Sequence, residues 1–155
     1  MRYNRTAISF PAGLLAGFAA GFLSTLIFQQ LMLTLLWSIG LALAGPFSMK
    51  ATQPFGVPAV LSLAFWGGMW GILLSLIQGR FPKDGYWIST FLFGAVLPSL
   101  VALLVVLPLK GRPMGGGWLP PLLLTAFLVN GAWGIGTGLI LKALSGRFRT
   151  SRLQV

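Results

Sequence analysis

The sequence contains no cysteine, no histidine and no glutamate, and Asp84 is its only acidic residue among 155. Each absence removes a class of chemistry. Without cysteine there is no disulfide and no thiolate metal site. Without histidine or a group of carboxylates, catalytic zinc lacks its usual ligands. General acid–base catalysis loses most of the side chains that perform it. The expectation is no catalytic residue, no metal site and no bound cofactor. Asp84 lies beside Lys83 in a Gly- and Pro-containing stretch and reads as a solvated loop charge. Proton- and sodium-coupled carriers place an ionisable side chain inside the membrane. No apolar run of this chain contains one.

Charge of either sign is scarce. Charged residues make up 8% and apolar residues 56%, whereas a soluble domain carries about 25% charge. A chain this short cannot hide so much apolar surface in one core. A hydrocarbon solvent removes the conflict. The eleven Lys and Arg residues give a net charge of +10, but they cluster at the ends of apolar runs. They form no interleaved basic–aromatic surface, so nucleic acid is not an expected partner.

What is present are four apolar runs, at about 7–28, 58–77, 87–107 and 119–141. Each meets the roughly 20 helical residues that cross a bilayer core. Breakers separate the later ones, at Gln78–Gly85 and at Pro108–Gly117. The basic first residues followed by an apolar run look superficially like a signal peptide. The run continues to about residue 44, however, which favours a retained helix. The expected fold is an all-α membrane protein, a single integral membrane domain over 1–155 built as a four-transmembrane-helix bundle.

Residues 29–45 are apolar but only 17 long, and no turn signal is evident between them and the first run. They read as a fifth span, a continuation of helix 1, or an interfacial segment. Positive residues near span ends favour the cytoplasm. With four spans, one side holds Arg2, Arg5, Arg80, Lys83, Lys142, Arg147, Arg149 and Arg152, and the other only Lys50, Lys110 and Arg112. Five spans would nearly equalise the two sides. Residues 29–45 are therefore placed as a helix-1 extension or interfacial helix, with both termini cytoplasmic. A bacterial inner membrane, with anionic lipids at the cytoplasmic face, is the expected setting.

Glycines spaced four apart line one helix face and admit a close neighbour. Gly13, Gly17 and Gly21 form such a row, as do Gly67 with Gly71 and Gly134 with Gly138. A repeat is visible between Gly68–Ile72 and Gly131–Ile135, 63 positions apart. Runs 1 and 3 show no convincing match. If the repeat is real, each unit is a helical hairpin and the two units are parallel. Intramembrane polar groups are few. Pro98 should kink its helix, and Ser99 and Asn130 could join it in a solute site walled by Trp66, Trp70 and Trp133.

The expected function is non-catalytic. The chain would act by helix–helix association, as an accessory subunit or small homo-oligomer with a membrane-protein partner or a second copy. The alternative is a passive permease or channel for a small neutral or anionic solute. The topology carries its own test. Reporter fusions at Arg80 and Arg147 should read cytoplasmic and one at Lys110 external; opposite sides for Arg80 and Arg147 would sink the four-span reading.

Overall fold

The computed structural model describes the backbone of residues 10–150 and the side chains of residues 12–145. Residues 7–9 of the first expected span lie outside them, as do the side chains of Arg2, Arg5, Arg147, Arg149 and Arg152. Helix α1 covers 10–38, as Phe10–Ser24, a π turn at Thr25–Gln29, and Gln30–Ser38. Helix α2 is Ala59–Ile77, tightening into a 3-10 turn at Gln78–Arg80. Helix α3 runs from Tyr86–Val101 through a π turn at Ala102–Val106 to Leu107–Leu109. Helix α4 is Pro120–Thr150. All four are long and apolar enough to cross a membrane. Among the described residues there is no strand, only an isolated bridge between Ala51 and Pro58. Their outward faces carry Leu15, Leu31, Trp66 and Ile88 exposed, which suits contact with lipid.

Local sequence explains where the helices stop. Gly40 takes the left-handed conformation, with φ of 76°. Its N–H donates to Trp37 O at 3.0 Å and that of Leu41 to Leu36 O at 2.9 Å. This is a Schellman end, completed by apolar contact of Leu41 with the Leu36 cluster. The 29–45 segment is therefore helical only to Ser38, where it continues α1, and then turns. Gly111 ends α3 the same way, with φ of 69° and bonds from Gly111 to Pro108 and from Arg112 to Leu107. Pro120 and Pro121 open α4, where a missing N–H costs nothing.

The span of α1 is 27 residues, or about 40 Å at 1.5 Å per residue. That exceeds a bilayer core of about 30 Å. The excess is used at the Lys110 end, where the connection 39–58 folds back onto the bundle. Leu36, Ala42 and Val129 form a small core there, with Met32, Leu33, Leu41 and Leu128 against it. The connection is tied down by Thr52 N–H to Val57 O and Ala59 N–H to Lys50 O, both 2.9 Å.

The helices pack in the order α2–α1–α4–α3. Within each hairpin the backbones touch. A Cβ on Gly21 would strike Gly67 O, and one on Gly71 would strike Gly17 O. In the second hairpin a Cβ on Gly94 would strike Asn130 O, and one on Gly134 would strike Thr90 O. Gly68 faces the Phe18 ring, and Gly131 faces the Phe91 ring. These contacts correspond pair by pair. They relate α2 to α4 by 63 positions, and α1 to α3 by 73, through Phe18 with Phe91 and Gly21 with Gly94. The contacts of α1 and α3 thus correspond, although their sequences share little beyond these two residues. The first connection is ten residues longer than the second, so the two offsets differ.

The hairpins meet through α1 and α4, where Gly136 packs against Phe28 and Ser24. A second core of Ala20, Leu74, Phe93, Trp133 and Leu141 fills the centre. Between α2 and α3 one bridge is Trp70 edge-on to Phe93, ring centroids 6.1 Å apart.

Gly17→Leu should disrupt this fold, because a Cβ there already lies 2.5 Å from Ser75 Oγ and 2.9 Å from Gly71 O. Overpacking of this kind costs about 1–3 kcal/mol. Gly13→Leu and Leu15→Phe should be tolerated, since Gly13 has open space beside it and Leu15 is 70% exposed. Melting temperature and monodispersity in one detergent decide it. Equal losses for Gly13→Leu and Gly17→Leu would contradict the hairpin contacts described.

Candidate functional site

An amide or hydroxyl surrounded by hydrocarbon needs a partner on its own or a neighbouring helix. Ser, Thr, Asn and Gln are few in these spans, and the fold gathers several of them into one layer. Gln29 Nε2 on α1 donates to Asn130 Oδ1 on α4 at 2.8 Å. Asn130 Nδ2 donates to Ser99 Oγ on α3 at 2.9 Å. Ser99 Oγ in turn donates to Ala126 O at 3.0 Å. Three helices are thus stitched by one directional chain, whose two Asn130 bonds fix the amide orientation. Gln29 Oε1 is buried without a protein partner. It is the one acceptor of this chain left unused.

One turn further along, the α1–α4 contact has its own set. Ser24 Oγ donates to Trp133 O at 2.7 Å, and Trp133 Nε1 donates to Gly21 O at 2.9 Å. Thr137 Oγ1 also donates to Trp133 O, at 2.8 Å. Gln30 points elsewhere, accepting the Phe47 N–H at 2.7 Å and so pinning the 39–58 connection to α1. At the Arg80 end, Tyr86 donates to Gln78 Oε1 at 2.8 Å. Lys142 Nζ stands 3.9 Å from the Tyr86 ring centre and 4.6 Å from that of Trp87. A cation over two aromatic faces is held at the rim of the bundle while its stem crosses apolar surface.

Of the residues singled out from the sequence, Ser99 and Asn130 are brought into direct contact, and Pro98 is buried beside Ser99. The tryptophans go to three different places. Trp133 is fully buried, Trp70 is half-buried on Phe93, and Trp66 is 59% exposed against Phe65. Gly17, Gly21, Gly67, Gly71 and Gly134 all lie in helix contacts, and Gly138 meets Thr90 and Tyr86. Gly13 meets nothing. Gly94 and Gly136 were not singled out, because each lacks a glycine four positions away. Gln29 lies just beyond the first apolar run at 7–28, so the sequence alone does not place it in this layer. Burial of an amide beside a second amide on a distant helix has no local sequence signature.

Two cavities flank the layer. One, of about 440 Å³, is lined by Leu33, Ala42, Leu107, Arg112, Leu122 and Thr125 among others, at the Lys110 end. The other, of about 180 Å³, lies between Gly13, Ala16, Ser75, Gln78, Leu141 and Ser145, at the Arg80 end. Between them Ala20, Ser24, Trp133 and Thr137 are buried to 2% exposure or less. Chemically the layer can orient a hydrogen-bonding group. It holds no base beside Ser99, and the described residues contain no cluster of metal-ligating side chains. No family model, curated protein or solved structure matches the chain.

The polar chain predicts a coupling. Asn130→Leu should destabilise by about 1–2 kcal/mol, since it strands the Gln29 amide and removes the donor to Ser99 Oγ, which keeps only its own bond to Ala126 O. Adding Gln29→Leu should then cost less than it does alone, with a coupling of about 0.6–1.7 kcal/mol. A double-mutant cycle of detergent unfolding curves measures it, and strict additivity would mean the bond contributes nothing.

Proposed function

We propose that the protein is a non-catalytic membrane component that works by helix–helix association, as an accessory subunit or small homo-oligomer. Its setting is a bacterial inner membrane, with both termini cytoplasmic and the basic residues of that side near anionic lipids. The glycine rows first suggested the association. Apart from Gly13 they are consumed within the hairpins, which points to a surface elsewhere.

The observation that supports a specific surface is the uneven use of a duplicated one. Ser24, Phe28 and Gly136 meet at the α1–α4 contact between the hairpins. Their counterparts under the repeat are Leu97, Val101 and Leu73, on α3 and α2. These are 43%, 38% and 48% exposed. The same hairpin surface is thus covered once and left open once. A partner helix seated between α2 and α3 would complete the pattern. The buried plug at Ala20, Ser24, Trp133 and Thr137 speaks against the permease reading, since it separates the two cavities.

Photoreactive residues placed singly at Leu73 and Leu97, in membranes, test the proposal. Both should yield one discrete protein adduct, either a second copy or a foreign subunit. Leu15, on the outer face of α1, should yield none. Lipid adducts alone at Leu73 and Leu97 would refute association through this side.

A further inference from the structure

The larger cavity, at the Lys110 end, has a composition that selects its ligand. Its walls are Leu33 from α1, Ala42, Leu43 and Ala44 from the 39–58 connection, Leu107 from α3, and Leu122 from α4. Arg112 is the only charged residue lining it. The chain has one acidic side chain, Asp84, and it lies at the opposite end of α3. No side chain therefore serves Arg112 as a counter-ion at this end. The Arg112 N–H donates to Leu107 O at 2.9 Å, which anchors its backbone at the helix end beside the cavity, with the side chain exposed at the rim. Gly116, in the left-handed conformation at φ of 63°, keeps the neighbouring rim free of a side chain.

We propose that this cavity binds a single-chain anionic amphiphile of the fatty-acid class. The acyl chain lies along Leu33, Leu107 and Leu122, and the carboxylate meets Arg112. A guanidinium presents parallel donors that match a carboxylate, and such charge-assisted pairs are the stronger ones. The volume of about 440 Å³ lies within the range of about 300–1,000 Å³ usual for small-molecule sites. It holds one acyl chain rather than the paired tails of a phospholipid. The cavity sits at the end of the bundle, where a bilayer presents its headgroups, so an amphiphile meets it with charge and tail already in the right order. No residue of α2 lines the cavity, and the inference stands independently of association through the α2–α3 side.

The test is saturable binding of labelled palmitate to the purified full-length chain in a neutral maltoside detergent. One palmitate per chain is expected. Arg112→Gln should weaken binding at least about tenfold, and Arg112→Lys should fall between it and the parent, retaining charge but not the fork. Leu122→Trp should block the cavity. Arg112 is an exposed connection residue, so its variants test the site even where Leu122→Trp fails to fold. Hexadecanol, with the same tail and no charge, should compete poorly. Palmitate binding unchanged by Arg112→Gln, or hexadecanol competing as well as palmitate, would overturn the proposal. Equal competition by dioleoylphosphatidylglycerol would overturn the assignment to a single chain.

Discussion

The structure depends on backbone contact between paired helices at Gly21 with Gly71 and at Gly94 with Gly134. In lipid, apolar side chains gain little by leaving one hydrocarbon for another, so helices must be held by dense packing and by hydrogen bonds. A Cβ at any of these four glycines would meet a backbone atom of the opposite helix. Their absence brings the helices close enough for van der Waals contact over several turns. The aromatic rings of Phe18 and Phe91 then lie against Gly68 and Gly131. Each hairpin becomes a unit whose shape is set by where side chains are missing.

Once the hairpins exist, a different interaction decides how they meet. Their contact through α1 and α4 carries the polar groups, namely Ser24, Gln29, Asn130 and the Trp133 indole. Apolar packing alone tolerates sliding, because one leucine in lipid resembles another. A hydrogen-bonded pair does not, since a slip of one turn would leave an amide unpaired in hydrocarbon. The chain from Gln29 through Asn130 to Ser99 therefore fixes register across three helices. The equivalent α2–α3 contact has Gly67 and Ala102 where Asn130 and Gln29 stand, and nothing there specifies register. That difference agrees with the looser approach of α2 and α3.

The spans were legible because the length of an apolar run and the position of charges are one-dimensional properties. The lack of cysteine, histidine and glutamate is a one-dimensional property in the same sense. The glycine rows indicated close packing but not which helix lies opposite, and they included Gly13, which packs against nothing. They omitted Gly94, which carries one of the two central contacts, because its partner in spacing is Thr90 and not a second glycine. In the first hairpin the small pair is Gly17 with Ser75, and in the second it is Thr90 with Gly138. The roles are exchanged across the helix pair, and only the three-dimensional contact preserves them. The stop at Gly40 was overlooked because the residues after it are apolar again. They belong to a connection that folds onto the bundle, where apolarity reports burial and not helix. Ser99 and Asn130 were singled out as scarce polar groups in apolar runs. Gln29 falls just past the first apolar run in the sequence, although it is deep in the bundle in space.

The distribution of charge also limits how the molecule can change shape. Among the described residues the ionisable side chains sit at helix ends or in connections, except Lys142, which lies inside α4 over the Tyr86 and Trp87 rings at the Arg80 end. Proton binding within the α1–α4 contact therefore has no group on which to act, and protonation cannot bias one hairpin arrangement over another there. A conformational equilibrium shifts only through a ligand's unequal affinity for its two states. In this bundle such a ligand must act from outside the packed centre. Three places remain: the open side between α2 and α3, the cavity lined by Arg112, and the smaller cavity at the Arg80 end. The Arg112 cavity touches α1, α3 and α4, and the smaller one α1, α2 and α4, so an occupant of either would press on both hairpins at once. The α2–α3 side likewise takes one helix from each hairpin. An occupant of any of these would bear on the angle between the hairpins, which the glycine contacts do not fix.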